Sequence, residues 1–148
     1  MVSRRLIVSS AVVGVVLAVG GWLAIYDRPM ARQTMTIGGR QLMVDLAITP
    51  ADQQRGLMGR TSLSEDEGML FIFPQAAEQT FWMKGMLIPI DIIWIYGGKV
   101  TGVTADNKPA EQLSRVLYPS PGPVSAVLEV AAGWAERHGI IVGTAVSY

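Results

Sequence analysis

The chain has 148 residues, a formal net charge of zero and no cysteine. This length predicts a single domain that is large enough to bury a hydrophobic core. Nucleic-acid binding is disfavoured, because phosphate recognition needs a concentrated basic surface and no Lys/Arg run exceeds Arg4-Arg5. The absence of cysteine excludes disulfides, thiolate nucleophiles and cysteine-based metal sites.

The N-terminal segment predicts a membrane anchor. Residues 6–25 are almost wholly apolar and uncharged, about the length that a helix needs to cross a bilayer. Trp22 and Tyr26 fit an interfacial aromatic belt, and the arginines before the span favour a cytoplasmic N-terminus. No small-x-small cleavage site follows, so we expect an uncleaved single-pass anchor, with secretion after signal cleavage as the alternative. The expected organisation is an anchor, a linker and one extracytoplasmic domain, periplasmic or on the cell surface (residues 1–28, 29–33 and 34–148).

The domain opens with a hairpin signal and a helix start. Two β-type runs flank Gly38-Gly39, and paired glycines supply the positive φ angles of a tight turn. The second run has an apolar residue at every other position, as a half-buried strand does. Thr49 and Pro50 then predict a short helix, because Thr can cap and Pro suits the first helical position. A glycine at position 56 or 59 would end this helix.

The middle of the chain predicts buried strands. One covers residues 69–73 and stops at Pro74, and a short one covers residues 80–84. A second Gly-Gly hairpin joins residues 91–96 to residues 99–105. In two-residue register, Ile95 faces Val100, Ile93 faces Gly102 and Trp94 faces Thr101. Both faces of the first arm are apolar, which predicts a central strand.

The C-terminal third adds a polar, mixed stretch at residues 106–118, a strand at 124–130, a short helix at 131–138 and one or two strands from residue 140. The total is six to eight strands and two short helices, with no βαβ alternation. This pattern predicts an α+β, mainly β fold, in which small helices pack on an antiparallel, barrel-like or rolled sheet.

Six short motifs occur in an order that resembles the family catalogued as domain of unknown function 192. They are Arg55-Gly56-Leu57-Met58-x-Arg60, Gly68-Met69-Leu70-Phe71, Phe81-Trp82-Met83-Lys84, Ile88-Pro89-Ile90-Asp91, Leu128-Glu129-x-x-x-Gly133 and Gly139-Ile140-x-x-Gly143. The resemblance covers about residues 34–147 and implies a compact β-rich domain, often behind a signal peptide or anchor. It implies no reaction. The family usually follows Trp-Met-Lys with Asn-Thr, whereas this chain has Gly85-Met86 and so lacks two hydrogen-bonding side chains beside Lys84.

Charged side chains set against apolar runs predict a polar cluster. Lys84 and Asp91 could face one another as an ion pair across a bend that Pro89 ends, with further charges nearby. The cluster could be a pocket, in which a carboxylate acts as base or ligand acceptor and a cation holds an anionic group. The interpretation we favour for these charges is a structural salt-bridge network. The candidate residues are Arg60, Glu67, Lys84, Asp91 and Glu129.

Other residues carry weaker functional signals. Methionines can bind Cu(I), although methionine is also an ordinary core residue. His138 is the single histidine, and a cation at a helix C-terminus explains it without catalysis. Tryptophans in apolar runs are usually core, although they could line a sugar or peptide groove. The methionines are Met58, Met69, Met83 and Met86, and the tryptophans are Trp82, Trp94 and Trp134.

These observations lead to one favoured function and two alternatives. We expect a membrane-anchored binding or accessory module of the cell envelope, whose partner is an envelope protein or a small polar ligand. The first alternative is a carboxylate-dependent hydrolase or lyase acting on envelope material, with Asp91 or Glu67 as general base and Lys84 or Arg60 stabilising negative charge. The weaker alternative is Cu(I) binding. No G-x-S-x-G, H-E-x-x-H, P-loop or dinucleotide-binding motif is present, so we expect no cofactor and no metal site, and whether the chain is an enzyme stays open.

Overall fold

The computed structural model describes residues 29–109 and 116–148. In this part of the chain, seven strands form one curled sheet, two more strands pair beside it, and two short helices are present. The large sheet has the order β6-β5-β8-β3-β2-β1-β9, and β4 pairs with β7. The elements are β1 (Arg32–Ile37), β2 (Arg40–Ala47), α1 (Pro50–Arg55), β3 (Glu67–Ala77), β4 (Thr80–Trp82), β5 (Ile90–Tyr96), β6 (Lys99–Asn107), β7 (Leu117–Pro119), β8 (Val124–Ala131), α2 (Trp134–Arg137) and β9 (Val146–Ser147). The predicted mainly β fold with a rolled sheet and two short helices is confirmed for these residues.

The predicted membrane anchor, residues 1–28, lies outside the described residues. Across residues 29–109 and 116–148, neither helix has the length and apolar character required to span a bilayer. The first strand begins at Arg32, so β1 takes up the last two residues of the predicted linker.

The first hairpin has the predicted form, and it leads into an unpredicted parallel strand pair. Gly38 and Gly39 turn the chain between β1 and β2 with φ angles of +56° and +79°. The chain then crosses over through α1, and β3 pairs with β2 in parallel. The prediction of an antiparallel sheet without a βαβ unit was therefore wrong at this pair. The crossover contains a helix of only six residues, so the sequence lacks the long amphipathic pattern that usually indicates such a unit.

The third strand also runs further than its sequence indicated. The expected stop was Pro74, but β3 continues to Ala77. Its pairing with β8 is irregular between Ile72 and Ala77. Proline lacks a backbone N–H, and a strand tolerates it where the regular ladder is interrupted.

The second hairpin holds the centre of the sheet. Every residue of β5 except Tyr96 is buried, and β5 lies between β6 and β8, so the predicted central strand is confirmed. Ile95 pairs with Val100 as expected. Beyond it the register shifts by one residue, and Trp94 pairs with Gly102 rather than Thr101. A β-bulge at this point causes the shift, since a bulge places an extra residue in one strand.

The two faces of the sheet bury separate hydrophobic clusters. One cluster lies against α2 and contains Trp134, and the other lies against the turn after α1 and contains Leu57 and Phe71. Successive residues of a strand point to opposite faces, and β8 supplies both clusters. Leu128 belongs to the first cluster, whereas its neighbour Glu129 lies on the face of the second.

The C-terminal elements complete the sheet. The strand expected at residues 124–130 is β8, the helix expected at 131–138 is reduced to the four residues of α2, and β9 pairs with β1. The sequence pattern missed β7, which lies in the stretch assigned as polar and mixed. Residues 110–115 of that stretch lie outside the described residues.

Candidate functional site

A cleft of about 240 Å³ opens on the face of the sheet that carries α1. We call it the α1 cleft. The end of α1 and the turn after it form one wall, while β3, β4 and the segment after β4 form the others, and β8 contributes a single residue. Its lining combines aromatic rings, amide side chains, two cations and one carboxyl group: Gln53, Gln54, Arg55, Gly56, Leu57, Met58, Phe71, Phe73, Gln79, Thr80, Phe81, Trp82, Lys84, Met86 and Glu129.

Local sequence signals position the α1 wall. The backbone N–H of Asp52 donates to the Thr49 hydroxyl at 3.2 Å, which is the predicted N-cap, and Pro50 is the first helical residue. Gly56 ends the helix with a φ of +51°, a value that favours glycine. The amide nitrogen of Gln53 donates to the carbonyls of Ala47 and Ile72 at 3.2 and 3.0 Å, which fastens the helix to β2 and β3.

Glu129 is the single carboxyl group among the described residues that line the cleft. It lies in the middle of β8, between Met69 of β3 and Ile92 of β5, and its residue is only 4% exposed. Its Oε2 atom is buried and has no hydrogen-bond partner. Burial raises the pKa of this carboxyl to about 8, because the low-dielectric surroundings disfavour the charged form. At neutral pH the side chain is therefore mainly a neutral acid that can both donate and accept a hydrogen bond.

Gly56 lies next to this carboxyl on the α1 side. A Cβ atom at position 56 would lie 3.9 Å from Oε2 of Glu129 and 3.6 Å from Cζ of Phe71. The glycine that ends the helix is therefore also the α1 residue that lies beside the buried acid.

Cations lie at the cleft as well. Lys84 is exposed and lines it. Arg55 also lines it, and its guanidinium forms an ion pair with Asp52 at 3.2 Å within α1. Of the five residues predicted from the sequence, Lys84 and Glu129 are the two that meet here.

Arg60 and Glu67 belong to a separate ionic network. Arg60 pairs with the largely buried Asp45, which also accepts from Nε of Arg32 at 3.0 Å. Arg32 reaches Glu67 at 2.7 Å, and this hydrogen bond holds the pKa of the Glu67 carboxyl below its usual range. The network joins β1, β2 and β3 to the turn that contains Arg60. The sequence did not indicate Asp45 or Arg32 as candidates, because their charges stand alone in alternating strands.

The Asp91 carboxylate has a structural role, because it binds backbone N–H groups. It is fully buried, and its carboxylate accepts hydrogen bonds from the backbone N–H groups of Asp106, Gly133 and Ala135 at 2.8, 3.1 and 3.0 Å. It therefore joins β6 and the start of α2 to β5. The expected ion pair with Lys84 is corrected here, since Lys84 is exposed at the α1 cleft while Asp91 binds backbone amides.

A second polar cluster connects the turn before β3, which contains Glu65, to α2. Glu65 accepts from Nη2 and Nε of Arg137 at 2.9 and 3.2 Å and lies 2.9 Å from Nε2 of His138. The pKa of Glu65 is lowered, chiefly by the hydrogen bond from Arg137. Its backbone carbonyl also accepts from the Trp134 indole at 2.8 Å. His138 follows α2 directly, as its predicted place at a helix C-terminus requires.

The aromatic and methionine candidates divide between core and cleft. Trp94 and Trp134 are 1% exposed, whereas Trp82 is 47% exposed and lines the α1 cleft. Met69 and Met83 are buried in the core, and Met58 and Met86 line the cleft. The sequence had named Trp82 as a possible groove residue, but it missed the amide side chains of α1 and the two phenylalanines Phe71 and Phe81. No sequence signal placed these aromatic residues in one cleft with Gln53.

The fold and the cleft define a mainly β domain with one buried carboxyl group beneath an aromatic-lined opening. The sequence profile of the DUF192 family, described as "Uncharacterized ACR", matches residues 33–148, so the chain belongs to this family. The resemblance seen in the motifs is therefore confirmed. No match was found among curated proteins.

Two solved structures are similar to this chain. One is a protein from Sinorhizobium meliloti 1021, whose name calls it a transcription regulator only provisionally. It has a TM-score of 0.76 and 30% identity, over 82% of this chain and 96% of that one. The other is a protein of unknown function from Novosphingobium aromaticivorans DSM 12444, with a TM-score of 0.74 and 35% identity, over 80% of this chain and 86% of that one.

Proposed function

We propose that this chain is an extracytoplasmic binding module that holds a small polar ligand in the α1 cleft. The observation that carries the proposal is the buried Glu129 carboxyl, whose Oε2 has no hydrogen-bond partner, beneath an opening lined by aromatic and amide side chains. Small-molecule sites combine apolar walls with a few converging polar groups in this way.

The free-energy cost of burying the Glu129 carboxyl without a hydrogen-bond partner supports a functional role. Buried polar groups in proteins are nearly always hydrogen-bonded, and an unsatisfied one costs about 1–3 kcal/mol. Its neighbours across the sheet, Met69 and Ile92, are apolar, so a leucine at position 129 would suit the fold better. A residue that weakens the fold at such a position is commonly held by function.

The cleft is close to the start of the folded domain. The backbone N–H of Leu46 donates to the carbonyl of Ala31 at 2.8 Å, and Gln53 of the α1 wall binds the carbonyl of the next residue, Ala47. The proposed envelope ligand follows from the predicted anchor, residues 6–25, which would hold this domain at the membrane surface.

The hydrolase alternative has one observation in its favour. A carboxyl with a pKa of about 8 is protonated at neutral pH, as a general acid must be. Hydrolysis by paired carboxyl groups needs a second one within several ångströms. The lining residues that the structure describes include no second carboxyl, and the suggested bases Asp91 and Glu67 bind backbone amides and Arg32. Binding is therefore the function we favour, and product formation with loss in Glu129→Gln would reverse that preference.

The test uses Trp82 as a reporter at the cleft. The full chain is labelled with 5-fluorotryptophan, and substitution of each of its four tryptophans by phenylalanine assigns the ¹⁹F NMR signals. A fragment set of small amides, alcohols, amines and carboxylates is then added. We expect at least one class to shift the Trp82 signal saturably while the Trp134 signal, from the opposite face of the sheet, stays fixed.

Three variants locate the binding. Thr80→Phe adds bulk to an exposed residue of the cleft, and Gln75→Phe adds the same bulk to an exposed residue of β3 that does not line it. Glu129→Leu removes the hydrogen-bonding group and should stabilise the fold. We expect binding to be lost in Thr80→Phe and Glu129→Leu and retained in Gln75→Phe. If no fragment class shifts Trp82, or if Glu129→Leu binds as well as the parent chain, the proposed function is wrong.

A further inference from the structure

We infer that the ligand of the α1 cleft is a carbohydrate, whose ring stacks on Trp82 and whose hydroxyl groups bind Glu129 and the neighbouring amides. This inference rests on the proposed function and names the chemical class of its ligand. Three features of the described residues support it: an exposed indole at the cleft, a predominance of uncharged hydrogen-bonding groups, and a restricted volume.

The exposed indole is the first feature. The other two described tryptophans are almost completely buried, while Trp82 leaves 47% of its surface open beside the cleft. Its neighbour Phe81 is held edge-on against Phe71 and Trp94, with ring centroids 4.9 and 5.5 Å apart. This packing fixes the strand that presents Trp82. The face of an aromatic ring carries partial negative charge, and it attracts the weakly positive C–H groups on the flat side of a sugar ring.

The polar lining is the second feature. Gln53, Gln54, Gln79 and Thr80 bring three amides and a hydroxyl to the cleft. The amide nitrogen of Gln53 is held by two backbone carbonyls, which leaves the amide oxygen as an acceptor in a fixed position. Each sugar hydroxyl is one donor and a twofold acceptor, so it matches amides and a protonated carboxyl, which also donate and accept.

The charges at the cleft argue against a cationic ligand. Lys84 lines the opening, Arg55 is paired with Asp52 within α1, and Glu129 is the single carboxyl group among the described lining residues. A cation would meet the positive charge of Lys84 and would bind best to an ionised Glu129, whereas burial favours the neutral acid. A hydroxyl group requires no change of protonation.

The third feature is size. The volume of about 240 Å³ is below the range of roughly 300–1,000 Å³ that is usual for drug-sized ligands. The cleft therefore suits a ligand of one or two rings. Gly56 borders the cleft next to the acid, since a Cβ there would stand 3.9 Å from Oε2 of Glu129.

The experiment measures sugar binding to the full chain in a detergent without a sugar head group. The probes are glucose, galactose and N-acetylglucosamine, with their β-linked disaccharides and longer oligomers. Saturation-transfer NMR detects the sugar, and the ¹⁹F signal of Trp82 detects the site. We expect saturable binding of at least one sugar. Affinity that rises with oligomer length indicates an envelope polymer, and equal affinity indicates a free sugar.

Matched variants decide whether binding uses the proposed contacts. Trp82→Leu removes the exposed indole, and Tyr96→Leu removes an exposed aromatic ring that does not line the cleft. We expect at least tenfold weaker binding in Trp82→Leu, partial recovery in Trp82→Tyr, and no change in Tyr96→Leu. Equal binding by Trp82→Leu and the parent chain overturns the inference.

The outcome also separates this inference from the proposed function. If no sugar binds but another fragment class shifts the Trp82 signal, the carbohydrate inference is wrong and the binding function stands. If nothing shifts that signal, both fail.

Discussion

Replacing Glu129 by glutamine should change how the stability of this protein depends on pH. The unfolded chain loses the Glu129 proton near its ordinary pKa of 4.5, whereas the folded chain keeps it until about pH 8. Between these values the unfolded state binds fewer protons, so the free energy of unfolding falls as pH rises. This loss of stability is absent below the Glu129 pKa of the unfolded chain and complete above the Glu129 pKa of the folded chain.

The size of the effect follows from linkage. Each pH unit well inside the window removes about 1.4 kcal/mol of stability, and the slope is smaller near either pKa, so the loss from pH 5 to pH 8 is about 3–4 kcal/mol. Because Glu129 is buried, solvent does not screen this effect. Glutamine has nearly the same shape and no ionisation. Glu129→Gln should therefore match the parent chain near pH 5 and exceed its stability by about 3–4 kcal/mol at pH 8.

The assay is urea denaturation followed by near-ultraviolet circular dichroism at half-unit steps from pH 5 to pH 8. Comparing the variant with the parent chain cancels the contributions of all other titrating groups. Glu67→Gln is the matched control, because the Arg32 hydrogen bond lowers the Glu67 pKa and places its titration below this window. Parallel profiles for Glu129→Gln and the parent chain would refute the reasoning, since they would show that folding does not perturb the Glu129 carboxyl.

Two further predictions concern the stability contributions of Asp91 and Gly68. Asp91→Asn should cost about 2–4 kcal/mol, because an amide cannot accept all three backbone N–H groups that the carboxylate accepts. Combined with Lys84→Met in a double-mutant cycle by denaturation, it should show no coupling, and a coupling above about 1 kcal/mol would contradict the assigned positions. Gly68→Ala should cost about 1–3 kcal/mol in the same assay, because its Cβ would lie 2.8 Å from the Glu129 carbonyl oxygen. Gly122→Ala, whose Cβ meets nothing within 4 Å, is its control, and equal stability of the two variants would count against this packing.

Local sequence was sufficient for the elements that are encoded by adjacent residues. Gly38-Gly39 and Gly97-Gly98 marked both tight hairpins, and Thr49, Pro50 and Gly56 marked the start and end of α1. Each of these features depends on one residue's backbone preference or on a cap only a few residues away. Such signals do not depend on the rest of the fold.

Pairing between strands that are far apart in the chain could not be predicted from local sequence signals. The parallel pairing of β2 with β3, the bulge at Trp94 and the short strand β7 each depend on which strands become neighbours. Which strands become neighbours depends on how much apolar surface the whole sheet buries on both faces. Strand sequences with similar apolar runs do not distinguish between the possible neighbours.

The candidate site shows the same division. The sequence alone named the candidate residues Arg60, Glu67, Lys84, Asp91 and Glu129, because charges within apolar runs are visible by inspection. The tertiary structure decided their surroundings: an ionic network for the first two, backbone amides for Asp91, and the α1 cleft for the other pair. The physical reason is that burial and hydrogen-bond partners come from segments far apart in the chain. Residue type determined which groups could ionise, and only the fold decided which carboxyl group was left buried without a partner.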